Sequence, residues 1–165
     1  MDSSVRIITS NFSGLYKQVQ ETDGILLLTT TGHSTYAVTH PGMYLYLPSN
    51  MEALKREEQR ETTMLVYRTQ LVFDNVMRWW ALCALNKDCI MPPRATKPCN
   101  FTNPDKFSNY FQCHRFDQSA LNILTLNTLG FNSTFFYAKI RTAKIERFES
   151  VRKEPNYCRQ FDIRN

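Results

Sequence analysis

His114, Arg115, Asp117 and Gln118 crowd an imidazole, a guanidinium, a carboxylate and an amide into five consecutive positions. Side chains of these types at one spot suit a sugar or a phosphate. The forked cation and the amide hold oxygens, and the carboxylate accepts a hydroxyl or acts as a base. Directly behind them Ala120, Leu121, Ile123, Leu124, Leu126 and Leu129 cover most of the circumference of a helix, with Asn122, Thr125 and Asn127 as its minority polar positions. Such a helix is expected to be buried, which anchors its first turn near the core. Asp117 is then placed to cap free backbone N–H groups, where the helix dipole also favours an anion. The plainer reading makes Asp117 an N-cap and His114 and Arg115 its satisfied neighbours, as in any helix.

The elements that must position this cluster follow in chain order. Val5, Ile7 and Ile8 suggest the end of a strand entering a loop. Ser10 or Asn11 is placed to cap a short helix over Gly14 to Gln20, and Asp23 with Gly24 makes a turn into a buried strand over Ile25 to Thr31. His33 and His40 are too far apart for one helix face. Each is ordinarily a loop histidine, and their place near short strands also suits a ligand or a base, so His40 joins the candidate binding residues. Met43 to Leu47 reads as a helical turn stopped by Pro48. From Ser49 or Asn50 a polar helix is expected over Met51 to Glu61, solvated on most sides, followed by a strand over Thr62 to Arg68. Thr69 should cap a long helix, Gln70 to Asn86, with Val72, Val76, Trp79 and Cys83 on one face and Phe73, Met77, Trp80 and Ala84 on the next. Both tryptophans read first as core. Neighbouring positions point about 100° apart, so at most one of them can stack on a given sugar ring. Lys87 to Tyr110 carries Pro92, Pro93, Pro98 and Pro104 and reads as a long irregular loop forming one wall of a cleft. Phe131 to Ile140 is aromatic and strand-like, and the remainder is a basic irregular tail.

A chain of 165 residues, 42% hydrophobic and 13% aromatic, is long enough to build one domain with a real core. Its net charge of +5 is spread along the sequence, which describes a solvated surface and not a nucleic-acid footprint. The five cysteines are Cys83, Cys89, Cys99, Cys113 and Cys158; no C-x-x-C pair or H-x-x-x-H partner points to structural zinc, so disulfides are expected. A bridge should pin the proline-rich loop, Cys89 to Cys113 or Cys99 to Cys113 with the former slightly favoured, and Cys158 could pair with Cys83 or stay free. N-x-[ST] sequons at Asn11, Asn100 and Asn132 agree with a lumenal or extracellular location. The apolar runs, such as Ile25 to Leu28, fall far short of the roughly 18 residues of a membrane span, and no signal peptide is visible. A lumenal protein without a targeting segment reads as a C-terminal fragment, or a truncated gene model, of a longer one.

Asp2 to Arg6 (D-S-S-V-R), Ala37 to Tyr44 (A-V-T-H-P-G-M-Y), Val76 to Ile90 (V-M-R-W-W-A-L-C-A-L-N-K-D-C-I) and Cys113 to Asn122 (C-H-R-F-D-Q-S-A-L-N) occur in that order. This set resembles a nematode-expanded, functionally uncharacterised domain family, itself similar to the C-terminal half of GT-A glycosyltransferases. The resemblance spans about residues 1 to 140 and leaves 141 to 165 as the tail. It implies an α/β fold, a partial GT-A-like three-layer arrangement with a mixed sheet flanked by helices, lacking the N-terminal nucleotide-binding half. It also implies a nucleotide sugar and a glycan acceptor as partners, a hexosyltransferase activity, a divalent cation (Mn or Mg), and the Golgi lumen or extracellular space. Carried over by position, Asp2 and Ser4 stand where a D-x-D motif would hold the metal, with Ser weakening the site because hard cations prefer charged oxygens. Asp117 and Gln118 stand where a D-Q pair faces the acceptor, Asp117 as the catalytic base or a sugar-hydroxyl acceptor, and His114 and Arg115 would face the phosphates. The alternative is a non-catalytic lumenal or secreted binding module on the same scaffold, favoured by Ser4 and by the missing nucleotide half.

Overall fold

The computed structural model describes residues 5–8, 11–140 and 143–145. Its strands and helices are β1 (Val5–Ile7), α1 (Ser13–Glu21), β2 (Ile25–Leu27), β3 (Thr30–Ser34), α2 (Met51–Arg56), β4 (Glu58–Arg60), β5 (Met64–Val66), α3 (Gln70–Val72), α4 (Arg78–Leu85), α5 (Lys87–Ile90), α6 (Phe116–Thr128) and β6 (Ala143–Ile145). The fold is mixed α/β with small antiparallel pairings, β1 with β6, β2 with β5 and β3 with β4.

The helix expected behind the polar cluster is the axle of the molecule. In α6 every side chain from Ser119 to Leu126 is buried, as a run apolar on nearly all sides requires. Leu121, Ile123 and Leu126 pack there with Ile25, Leu27, Met43, Leu54, Val76 and Phe136. A second, smaller cluster joins Leu15 and Val19 of α1 to Leu26 and Leu28.

The β2–β5 and β3–β4 pairs form one interrupted antiparallel ladder. Between them the Leu28 amide donates to the Thr63 carbonyl at 2.9 Å, and the Glu61 amide to the Thr29 carbonyl at 3.2 Å. The ladder starts from a turn that needs glycine. Gly24 has φ +102°, and a Cβ there would lie 2.6 Å from the Tyr67 carbonyl oxygen. On the other side of β2 the Leu27 amide donates to Phe136 and the Leu27 carbonyl accepts from Ala138, a short parallel contact centred on Tyr137. The strand expected over Phe131 to Ile140 is thus reduced to this bridge, with turns on both sides.

Other expectations are corrected. The polar helix capped by Asn50 ends at Arg56, and Glu58–Arg60 becomes β4 instead of a further helical turn. Tertiary hydrogen bonds outweigh local helix preference here. The Glu57 carbonyl accepts from the Thr35 amide, and the Asn122 side chain holds both backbone groups of Arg60, accepting from N and donating to O at 2.8 Å each. Arg60 is consequently buried and not solvated; it is paired with Glu58 at 2.8 Å and lies over the Tyr137 ring. The basic tail contributes a strand, β6, at its start. The bridges are Cys83–Cys89 and Cys99–Cys113, so neither Cys89–Cys113 nor Cys83–Cys158 forms. Asn86 ends α4 in an extended conformation and caps α5, and that reversal brings Cys89 back onto Cys83. Cys158 lies outside the described residues. Among those residues no helix is long and apolar enough to cross a membrane.

Candidate functional site

The residues predicted to meet at the start of α6 point in different directions. His114 is fully buried. Its Nδ1 accepts the His40 amide and its Nε2 lies 3.1 Å from the Ile90 carbonyl, which fixes the neutral ring with the proton on Nε2. Burial pushes its pKa down to about 4, with His40 adding a smaller push in the same direction and the Ile90 bond opposing both. At neutral pH His114 is an uncharged strut joining three loops. His40 sits edge-on to it, ring centres 6.4 Å apart, and turns its own Nδ1 to the Gly42 amide, capping the turn at Pro41–Leu45.

Gln118 donates to the Arg60 carbonyl at 3.2 Å, so it ties α6 to β4. Arg115 is half-buried, and its amide donates to the Val38 carbonyl. Its charge lies close enough to His33 to disfavour protonation there. Burial is the larger cause, and together they lower the His33 pKa to about 4. His33 is stacked on Phe101. Asp117 alone faces solvent, in the first turn of α6, and its backbone carbonyl accepts the Trp80 indole N–H at 2.9 Å. Arg115 occupies the N-cap position without a side-chain cap, so Asp117 lies within the first turn and not at the cap, and contributes by its charge near the dipole. Asp2 lies outside the described residues. Among those described, no group of three or more His, Cys, Asp or Glu side chains is placed to hold a metal.

A different place combines aromatic and polar groups facing solvent. A groove of about 360 Å³ runs between the turn after Pro41–Leu45, the middle helix and the C-terminal end of α6, lined by Tyr46, Leu47, Pro48, Asn75, Trp79, Leu124, Asn127 and Thr128. That volume lies in the range of small-ligand sites. Trp79 is 45% and Tyr46 43% exposed, so both rings show a face or edge to the groove. The walls are hydrogen-bonded to the scaffold. Asn127 donates to the Pro48 carbonyl at 2.9 Å and accepts from the Ser49 hydroxyl at 2.7 Å, and the Thr128 hydroxyl donates to Leu124 at 2.7 Å. Asn75 donates one amide proton to Leu71 at 3.1 Å and keeps a carbonyl oxygen and a second proton for a ligand. The Arg78 guanidinium stands 5.4 Å from the Trp79 ring centre. None of the lining side chains is charged.

Phe73–Met77, between α3 and α4, is a π turn, wider than an α turn. Beyond it Trp80 packs on the core while Trp79 stays half in solvent, and Cys83 keeps the buried place that 3.6-residue spacing gives it. The expectation that both tryptophans are core thus holds for Trp80 alone. Leu124 and Thr128 lie roughly 10 and 17 Å along the axis from Asp117 at 1.5 Å per residue, so groove and carboxylate are separate places. Tyr46, Asn75 and Asn127 carry no local motif, and only the exposed aromatic pair marks them. Neither a family model, nor a curated protein, nor a solved structure matches the chain.

Proposed function

We propose that this chain is a carbohydrate-binding module of an oxidising compartment, with the Tyr46–Trp79 groove as its site. The observation that carries the reading is that uncharged groove: two half-exposed aromatic rings beside amide and hydroxyl groups whose positions are fixed by bonds to the scaffold. A pyranose has an apolar face of C–H groups that packs on an aromatic ring and an equatorial rim of hydroxyls that amides recognise. Two disulfides among the described residues are compatible with a secreted or lumenal chain. The test is a glycan panel with wild type, Trp79→Ala and Asn75→Ala. Wild type should retain one class of neutral glycan, and both variants should lose it.

Hexosyl transfer from a nucleotide sugar, on a GT-A-like scaffold of the Golgi lumen, is supported by one observation: Asp117 is an exposed carboxylate at the first turn of the central helix. Such a group can take a proton from an acceptor hydroxyl. Hydrolysis of a nucleotide-sugar panel by wild type and Asp117→Ala tests this reading. Equal rates in the two, or no turnover, remove it.

A further inference from the structure

The three sequons are alike in sequence and unlike in structure. Asn132 is exposed, and its Oδ1 accepts two bonds from Thr134, the backbone amide at 3.2 Å and the hydroxyl at 2.6 Å. Residue 133 holds this turn to the body of the protein. The Ser133 amide donates to Glu57 at 2.7 Å, and its hydroxyl accepts from Arg60 at 3.2 Å. Asn11, far away in sequence, repeats the arrangement: it is exposed, and its Oδ1 accepts from the Ser13 amide at 3.1 Å and the Ser13 hydroxyl at 2.7 Å. At Asn100 the Thr102 amide donates instead to the main-chain carbonyl of Asn100 at 2.9 Å. Half-buried Phe101 is packed between His33 and Phe111, and Cys99 next door is bridged to Cys113, so the neighbours of Asn100 are tied to the fold although Asn100 and Thr102 are exposed.

We propose that Asn132 and Asn11 are N-glycosylation acceptors and that Asn100 is left unmodified. Both bonds to Oδ1 draw electron density onto the oxygen and acidify the Nδ2 protons, and each turn closes within three consecutive residues, so it forms from local sequence before the rest of the chain folds. The donor is an oligosaccharide on a polyprenyl diphosphate, presented by a membrane transferase of the secretory pathway. A basic group of the transferase takes one proton from Nδ2, which forms the bond to C1 of the first sugar; the C1–oxygen bond breaks, and the polyprenyl diphosphate leaves with its electron pair. In the folded protein both acceptors face solvent, where a bulky polar glycan is accommodated. This assignment is independent of the groove.

The experiment places the full chain behind a cleavable secretion signal, in cell-free translation with microsomes and in secreting eukaryotic cells. Glycan number is read from intact mass before and after peptide N-glycanase. Two glycans are expected. Asn132→Gln and Thr134→Ala should each remove one and the same glycan, Asn11→Gln the other, and Asn100→Gln none. The microsome readout does not require export, so a variant that folds poorly still reports. An unmodified chain inside the microsomes overturns the proposal, as does a glycan lost on Asn100→Gln or kept on Thr134→Ala.

Discussion

Replacing Asn122 with leucine removes the clamp between the central helix and β4 while nearly conserving volume. Asn122 is fully buried, accepts from the Arg60 amide at 2.8 Å and donates to the carbonyls of Arg60 and Gln118 at 2.8 and 2.9 Å. In the variant the Arg60 carbonyl keeps Gln118 as a donor, but the Arg60 amide loses its partner inside the protein. A buried unpaired N–H costs about 1–3 kcal/mol, and the lost bonds add about 1 kcal/mol, giving roughly 2–4 kcal/mol in all. For a chain of this length that lowers the melting temperature by about 5–15 °C. The assay is urea unfolding followed by tryptophan fluorescence and far-ultraviolet circular dichroism, with Gln118→Leu as the control. The control should cost less, because the Arg60 carbonyl then keeps Asn122. A stability for Asn122→Leu within about 0.5 kcal/mol of wild type, or a control that costs as much, would refute the clamp.

Acidification should destabilise the fold between about pH 6.5 and 4. His33 and His114 are held neutral with their pKa values lowered to about 4, so the unfolded chain binds more protons in this window and stability falls with falling pH. His33 feels Arg115 and Lys106 as repulsive charges and Glu58 as an attractive one, whereas His114 faces His40. The loss from pH 7 to 5 is about 1–2 kcal/mol per histidine, and His114→Gln should flatten the unfolding profile measured at stepped pH. A flat wild-type profile from pH 7 to 5 would contradict this. Removing Cys99–Cys113, which closes a separation of 14 residues, should cost about 3 kcal/mol, and removing Cys83–Cys89, with a separation of 6, about 2 kcal/mol, read from urea midpoints of the paired Cys→Ser variants. The reverse order would show that native contacts, and not chain entropy, set their worth.

What the sequence disclosed was local. The apolar run behind Gln118 announces α6, and Asn50 and Thr69 cap the helices they precede, with side chains accepting from the Ala53 and Val72 amides. Asp23 and Gly24 make the expected turn. What stayed hidden depends on distant partners. Glu57 to Arg60 look helical until Thr35 reaches Glu57 and Asn122 reaches Arg60, and cysteine spacing alone permits several pairings. The spacing from Gln70 to Asn86 marks a wide apolar surface but not which tryptophan meets water, because a π turn at Phe73–Met77 interrupts the regular helix. The polar cluster at His114 was legible as a cluster. Its direction was not, because the same residue types serve equally well to satisfy loops, as His114 and Gln118 do.

The central claim rests on Trp79, and calorimetric titration of the glycan best retained by wild type tests it most directly. Trp79 is half-exposed, so Trp79→Ala should unfold like wild type and bind at least about tenfold more weakly, while Asp117→Ala, at the far end of α6, should bind as wild type does. Undiminished binding by a folded Trp79→Ala protein would contradict the account.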